Sequence, residues 1–302
     1  MDSLLSICDI KEDVLNIIDL ACDIKADKKE EKPLEGKTLA MIFQKSSTRT
    51  RVSFDVGMYQ LGGRAIFLSS NDLQMGRGEP ISDTARVLSR FVDGIMIRAI
   101  EHDDVIELAK YSDVPVISGL TNLEHPCQVL ADVLTIKEHF GSFENKKICF
   151  AGDGNNVCNS LLLIAPLLGM DMSVACPKGY EPNEDILKIA QEYAKENNTE
   201  IVISDNLNVA LDNVDVVYTD VWVSMGDEAE KAQREIDLAP FQVNQELMNL
   251  ANDGAIFMHC LPAVRGQEVS AEVIDGPQSV IYDQAENRLH AQKAVLYYYL
   301  KD

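Results

Sequence analysis

The sequence of 302 residues is 46% apolar and 25% charged, which at roughly 150 residues per domain predicts two domains with sizeable cores and excludes disordered, collagen-like and fibrous classes. A formal net charge of −22 repels phosphate backbones and anionic bilayers, so nucleic acid and membrane surfaces are excluded as partners. No secretory leader or membrane span is expected from the Met1-Asp2-Ser3 start or from the longest apolar run, Leu161 to Met170, which Pro166 interrupts. Seven cysteines without a Cys-x-x-Cys pair predict a cytoplasmic protein with core thiols rather than a disulfide frame or structural zinc.

In chain order, Val14, Ile17, Ile18, Ala21 and Cys22 recur at the spacing of one helix face. Short β-branched runs then predict strands at Thr38–Phe43, Ala65–Ser69, Gly94–Arg98 and Val114–Ser118, separated by segments of helical period. The segment Glu124–Phe140 has Val129, Leu130, Val133, Leu134 and Ile136 as apolar positions and ends at Gly141, so it reads as a buried helix joining two halves. A second series of strands follows at Lys147–Ala151, Met172–Cys176, Ile201–Ser204, Val214–Thr219 and Ala255–His259. This alternation predicts an α/β fold of two similar-sized domains, each a largely parallel sheet flanked by helices. The expected division is 1–140 and 141–285. A terminal helix within 286–302, with Ala291, Ala294, Val295 and Tyr298 on its apolar face, is expected to pack back on the first domain.

Four clusters carry residue types suited to chemistry. After the first strand, Lys45-Ser46-Ser47-Thr48-Arg49-Thr50-Arg51 opens a helical segment whose unpaired N–H donors, hydroxyls and planar Arg49 fork suit phosphate oxygens. A capping serine accounts for one of those hydroxyls but not for the whole run. His125-Pro126-Cys127-Gln128 stands at the entry to the joining helix, where a lone histidine is more often structural than catalytic. Asp220-Val221-Trp222-Val223-Ser224-Met225-Gly226 puts a carboxylate beside the only tryptophan, in a lid or an ordinary turn. His259-Cys260-Leu261-Pro262-Ala263 ends a strand, where open α/β sheets bind ligands; the alternative is a buried thiol and a turn proline. Gly152-Asp153-Gly154-Asn155-Asn156-Val157 begins like a dinucleotide fingerprint. Val157 holds the third glycine position, however, and the next strand ends in Cys176-Pro177 without a ribose-binding acid, which disfavours NAD.

Together, Phe43–Arg51, His125–Gln128, Asp220–Gly226 and His259–Ala263 resemble the transcarbamoylases, and the similarity runs almost end to end. Ser-Thr-Arg-Thr-Arg and His-Pro-Cys-Gln resemble the carbamoyl phosphate signature of that family; Ser-Met-Gly and His-Cys-Leu-Pro resemble its ornithine-using branch. Leu73–Glu79 and Glu286–His290 match the same branch, while Val264 stands where many relatives carry histidine. The resemblance implies a carbamoyl phosphate domain, an L-ornithine domain, no cofactor and no metal. It also implies a homotrimer, or a multiple of trimers, with a loop carrying Gln74 crossing to the neighbouring active site. It assigns the phosphate to Ser47, Thr48, Arg49 and Thr50, and the carbamoyl group to Arg98, His125 and Gln128. Pro126, Cys127, Cys260, Leu261 and Arg288 complete that pocket, while Asn156, Asp220, Ser224 and Met225 surround ornithine. A cis bond is expected before Pro262.

The implied reaction is attack of the ornithine side-chain amine on the carbamoyl carbon, giving L-citrulline and phosphate. Thr50, Arg98 and His125 are suitably typed donors for the developing oxyanion. A carboxylate against the reacting amine would hold it protonated, so Asp220 is expected at the α-ammonium. Cys260 is the expected proton acceptor, weighed against a packing role. Two further readings stand: a carbamoyltransferase for another amine, such as putrescine or an acylated ornithine, and a catalytically silent regulatory paralogue that binds carbamoyl phosphate.

Overall fold

The computed structural model describes residues 2–27, 32–70, 73, 75, 78–223 and 228–301. The first half runs α1 (Val14–Lys25), β1 (Thr38–Phe43), α2 (Thr48–Gln60), β2 (Arg64–Ser69), α3 (Ile81–Leu88), β3 (Gly94–Arg98), α4 (His102–Tyr111), β4 (Val116–Leu120) and α5 (Pro126–Phe140). The second runs β5 (Lys147–Ala151), α6 (Asn156–Leu167), β6 (Asp171–Ala175), α7 (Glu184–Asn197), β7 (Ile201–Ser204), α8 (Leu207–Ala210), β8 (Val216–Thr219), α9 (Lys231–Leu238), α10 (Gln245–Met248), β9 (Ile256–His259), α11 (Ala271–Ile274) and α12 (Ile281–Leu300). Two compact units result, Met1–Leu134 with Glu286–Asp302, and Thr135–Ala285; the boundary falls inside α5. Among the described residues, no helix is long and apolar enough to cross a membrane.

The first unit holds a parallel four-stranded sheet in the order β2-β1-β3-β4. β1 and β3 are buried at every position, as strands covered on both faces must be, and so read as unbroken apolar runs. The β4 edge is closed by the N-terminal segment: Leu4 N donates to Val116 O at 2.9 Å and Ser118 N to Leu4 O at 2.7 Å, which satisfies groups an open edge would leave bare. β4 begins two residues later than the sequence pattern suggests. Ser112 Oγ donates to Val114 O at 2.7 Å and accepts from Val114 N at 3.2 Å, closing a turn before Pro115, so the ladder starts at Val116. On α1, Val14, Ile17, Ile18 and Ala21 are buried and Cys22 is half-buried. α12 starts at Ile281, ahead of Glu286. Its Ala291, Ala294 and Val295 are buried, while Tyr298 is 40% exposed, its ring edge-on to that of Tyr299.

The second unit holds a parallel five-stranded sheet in the order β7-β6-β5-β8-β9. Its core joins Cys149, Ala151 and Val217 to Leu247, Phe257 and Val273, each large apolar side chain contributing about 1.5–3 kcal/mol over leaving it in water. In both sheets the chain reverses direction of strand addition next to the first strand, between β1 and β3 and between β5 and β8. A crevice opens at the carboxyl ends of the strands at such a switch point, and that is where the polar clusters stand.

Candidate active site

In the first unit, α2 begins directly after the β1 turn. Ser47 is its N-cap, accepting from Thr50 N at 3.2 Å, so the first turn is fixed and its remaining N–H groups face outward as an anion site. Thr48 is exposed, Ser47 and Arg49 are half-buried, and Thr50 is 1% exposed. Arg288 of α12 reaches this turn: its guanidinium donates to Thr50 Oγ1 at 3.1 Å and to Gln128 Oε1 at 2.5 Å. Gln128 passes the charge on, donating to the buried Asp132 carboxylate at 2.8 Å. With its amide turned to match its neighbours, Gln292 accepts from Arg288 Nη2 at 2.9 Å and donates to Ser53 Oγ.

Arg98 ends β3 and is buried. His125 precedes α5, its carbonyl accepting from Gln128 N at 3.0 Å. Burial, then the positive charges of Arg288, Arg98 and Arg49, push the His125 pKa well below its ordinary value. It is a neutral ring, able to donate to an oxyanion without carrying charge. Pro126 opens α5. The Cys127 thiol turns into the core, donating to Ser118 O at 3.4 Å, and burial raises its pKa to about 12. Burial likewise raises Cys149 to about 11, Cys176 to about 12 and Cys158 well above the usual range.

In the second unit, the centre is Asp220, immediately after β8. Its Oδ1 accepts from Cys260 Sγ at 3.0 Å and from Val221 N at 2.8 Å, and its Oδ2 accepts from Asn155 Nδ2 at 2.8 Å. Asn155 is the N-cap of α6; its Oδ1 accepts from Val157 N at 3.0 Å and Cys158 N at 3.2 Å, which leaves its NH₂ facing Asp220. Gly152 and Gly154 serve this turn rather than a pyrophosphate. Gly152 sits at φ +128, and a Cβ on Gly154 would lie 2.4 Å from Pro182 N. His259 ends β9. Its Nδ1 accepts from Leu261 N at 2.8 Å, so its proton is on Nε2, which faces buried Glu268 Oε1 at 3.3 Å. Glu268 Oε1 also accepts from Val264 N at 2.5 Å, while the Val264 side chain is 48% exposed. The Leu261–Pro262 bond is cis and Leu261 adopts φ +56. Asp220, His259 and Cys260 present ligand-type atoms within 4.8 Å of one another. The Nδ1 lone pair is engaged by Leu261 N and the thiol by the Asp220 carboxylate.

The sequence-derived residues thus fall into two groups, one in each unit. Ser47, Thr48, Arg49, Thr50, Gln128 and Arg288 share one hydrogen-bonded neighbourhood, with Arg98 and His125 at a neighbouring strand end and helix start. Asp220 and Cys260 are in direct contact, Leu261 follows, and Asn156 begins α6. It is the adjacent Asn155 that reaches Asp220. Gln74, Ser224 and Met225 lie outside the described residues.

Sequence reasoning missed Asn155, Gln292 and a third residue, Arg234 of α9. The Arg234 guanidinium meets Asp153 at 2.7 Å and donates to Trp222 O at 3.3 Å. A capping residue at a strand-to-helix junction was the available signal for Asn155; an arginine inside a charged helix gives none.

Two parallel α/β units, each with its polar cluster at the switch point of its sheet, define a two-domain α/β protein with an anion-binding helix start in one unit and a carboxylate–thiol cluster in the other. The chain belongs to the aspartate/ornithine carbamoyltransferase family: the model of the family's carbamoyl-P binding domain matches residues 2–138 and that of its Asp/Orn binding domain residues 144–299. It is 78% identical over 301 residues, covering 100% of this chain and 100% of the other, to a Methanobrevibacter smithii protein named ornithine carbamoyltransferase. It is 61% identical to the protein of the same name from Methanothermobacter thermautotrophicus, over all of both chains. Among solved structures it resembles ornithine carbamoyltransferase from Pyrococcus furiosus, with TM-score 0.95 and 52% identity, over 99% of this chain and 96% of that one. The anabolic enzyme of Campylobacter jejuni gives 0.93 and 44%, over 99% and 98%.

Proposed function

We propose that the protein transfers the carbamoyl group of carbamoyl phosphate to the side-chain amine of L-ornithine, releasing L-citrulline and phosphate. The observation that carries this reading is the Asn155–Asp220–Cys260 cluster, found in a chain alike over its full length to named ornithine carbamoyltransferases. The α2 start, with Ser47, Thr48, Arg49 and Thr50, holds the phosphate. Arg98, neutral His125 and Thr50 stabilise the oxyanion of the tetrahedral intermediate, where losing one such donor costs about 3–4 kcal/mol of barrier. Gln128 and Arg288 orient the carbamoyl group, with the main chain at Cys127 and Leu261 lining it. Asp220, with Ser224 and Met225, takes the α-ammonium of ornithine, and Asn156 holds its carboxylate side.

The reacting amine, of the lysine type with a pKa near ~10.4, is mostly ammonium at pH 7, and freeing it costs about 4.6 kcal/mol. Cys260 is the acceptor in this reading. In the unliganded cluster the Cys260 thiol donates its hydrogen bond to the Asp220 carboxylate. When the α-ammonium of ornithine pairs with Asp220, it competes for that acceptor and the thiol releases its proton to solvent. The thiolate then takes one proton from the side-chain ammonium, the free amine attacks the carbamoyl carbon, and the departing phosphate takes the proton shed by the new carbamoyl nitrogen. A citrulline assay with ornithine, putrescine and N-acetylornithine tests the reading; no citrulline from ornithine overturns it.

The active assembly in this proposal is a trimer or a multiple of trimers, with Gln74 reaching a neighbouring site. Exposed Val52, Val56 and Tyr59 on α2 and Ile66 and Phe67 on edge strand β2 support a face that a second copy of the chain covers. Light scattering on the eluting protein checks it, and a monomer refutes it.

A further inference from the structure

We infer that Arg234 is a positioning residue for the amino-acid substrate, acting by tying together the two chain segments that flank Asp220; this rests on the proposed ornithine reading. One guanidinium nitrogen, Nη1, donates to Asp153 Oδ2 at 2.7 Å and to Trp222 O at 3.3 Å, while Nε donates to Glu230 Oε2 at 3.2 Å. The cation also lies 5.4 Å from the Tyr180 ring centroid, a distance at which ring and charge attract. Tyr180 is itself held, donating its hydroxyl to Asp237 at 3.0 Å and accepting Gly154 N on its carbonyl at 2.9 Å.

Each partner stands beside the carboxylate cluster. Asp153 lies in the turn that presents Asn155, whose NH₂ donates to Asp220. Trp222 lies two residues beyond Asp220, in the segment that follows β8. Arg234 therefore adds a tie between the Asn155 turn and the segment after β8, beside the Asn155–Asp220 contact. The Arg234 and Asp153 side chains are 14% and 16% exposed, so the pair sits where solvent screens it weakly, and removing one partner takes away an attraction that water does not replace. A residue that merely fastened α9 to the sheet would affect stability alone. One that sets the Asp220 environment alters how ornithine is held, while the phosphate-binding helix start belongs to the other unit.

The test is steady-state kinetics on the full-length protein with both substrates varied, for Arg234→Ala, Arg234→Lys, Asp153→Asn and the Arg234→Ala/Asp153→Asn double variant. Expected is a rise of at least tenfold, about 1.4 kcal/mol, in the KM for ornithine in Arg234→Ala and Asp153→Asn. The KM for carbamoyl phosphate should stay within twofold. The double variant should be no worse than the worse single one, because both remove one interaction. Arg234→Lys keeps the charge beside Asp153 without the fork that also reaches Trp222 and Glu230, and should fall between wild type and alanine. Ornithine KM values within twofold of wild type in the folded lysine and asparagine variants, or equal rises in both KM values, overturn the inference. Wild-type protein that forms no citrulline instead overturns the reading beneath it.

Discussion

Replacing Asp220 with asparagine removes one charge while leaving volume almost unchanged, so its effect separates charge and hydrogen-bond polarity from shape. Among the described residues the three partners of the carboxylate are donors: Cys260 Sγ and Val221 N on Oδ1, and Asn155 Nδ2 on Oδ2. An asparagine offers one acceptor oxygen, so an NH₂ must face a donor on one side. Asn155 cannot relieve this by flipping, because its Oδ1 already accepts from Val157 N and Cys158 N. The least costly arrangement keeps the oxygen toward Val221 and Cys260 and sets two NH₂ groups against each other at the Asn155 side. The unmatched donors cost about 1–3 kcal/mol in the folded protein. The substrate loses a charge-assisted bond to its α-ammonium as well, worth about 1.5–3 kcal/mol. That corresponds to a KM for ornithine raised roughly 10- to 150-fold. The assay is colorimetric citrulline formation at saturating carbamoyl phosphate over a range of ornithine, with the KM for carbamoyl phosphate measured alongside. An ornithine KM within twofold of wild type would refute the placement of the α-ammonium on Asp220. A parallel rise in both KM values would point instead to general loss of structure.

Cys260→Ser should depress kcat while leaving carbamoyl phosphate binding, read by calorimetry, within twofold; unchanged kcat removes the thiol from proton transfer. Arg288→Met should weaken carbamoyl phosphate binding at least tenfold, roughly 1.4 kcal/mol, because it strips the cation from Thr50 and Gln128; titration calorimetry giving wild-type affinity contradicts the cradle. His125 has a depressed pKa when folded, so below the unfolded value near ~6.5 the unfolded chain binds a proton that the native ring refuses. Its contribution to stability therefore falls with acidification, by up to about 1.4 kcal/mol per pH unit between the unfolded and folded values. Urea melts between pH 7 and 5 should show a shallower loss for His125→Gln than for wild type, and equal slopes would contradict a neutral buried ring.

Much of the architecture was legible because parallel strands covered on both faces write continuous apolar runs. β1, β3 and β5 begin and end where those runs do, and so does the half-buried edge strand β7. β4 was displaced because the run Val114–Ser118 contains both a turn closed by Ser112 and a strand, and hydropathy does not separate them. Tyr298 has the period of a core position but is 40% exposed, its ring against Tyr299 and its hydroxyl at Asp13 rather than in the core. At the candidate site, Ser47, Thr50, Asp220 and Cys260 were recognisable because several unusual residue types occur side by side. Asn155 was hidden by its twin, Asn156, since sequence spacing does not say which of two adjacent amides caps a helix. Arg234 was hidden more deeply, its partner Asp153 being 81 residues away. Such contacts are made by the folding of the chain, and no local pattern carries them.

Arg288 joins Gln128 across 160 positions of sequence, and that separation governs the order in which the phosphate cradle can be completed during synthesis. Thr50, His125 and Gln128 leave the ribosome long before the guanidinium that binds two of them. A nascent first half must tolerate an unfinished anion site until α12 arrives. A fragment ending after α5 would keep every element of the first sheet yet lack that cation, so a stand-alone version of this unit calls for a permuted chain in which α12 is spliced beside α1.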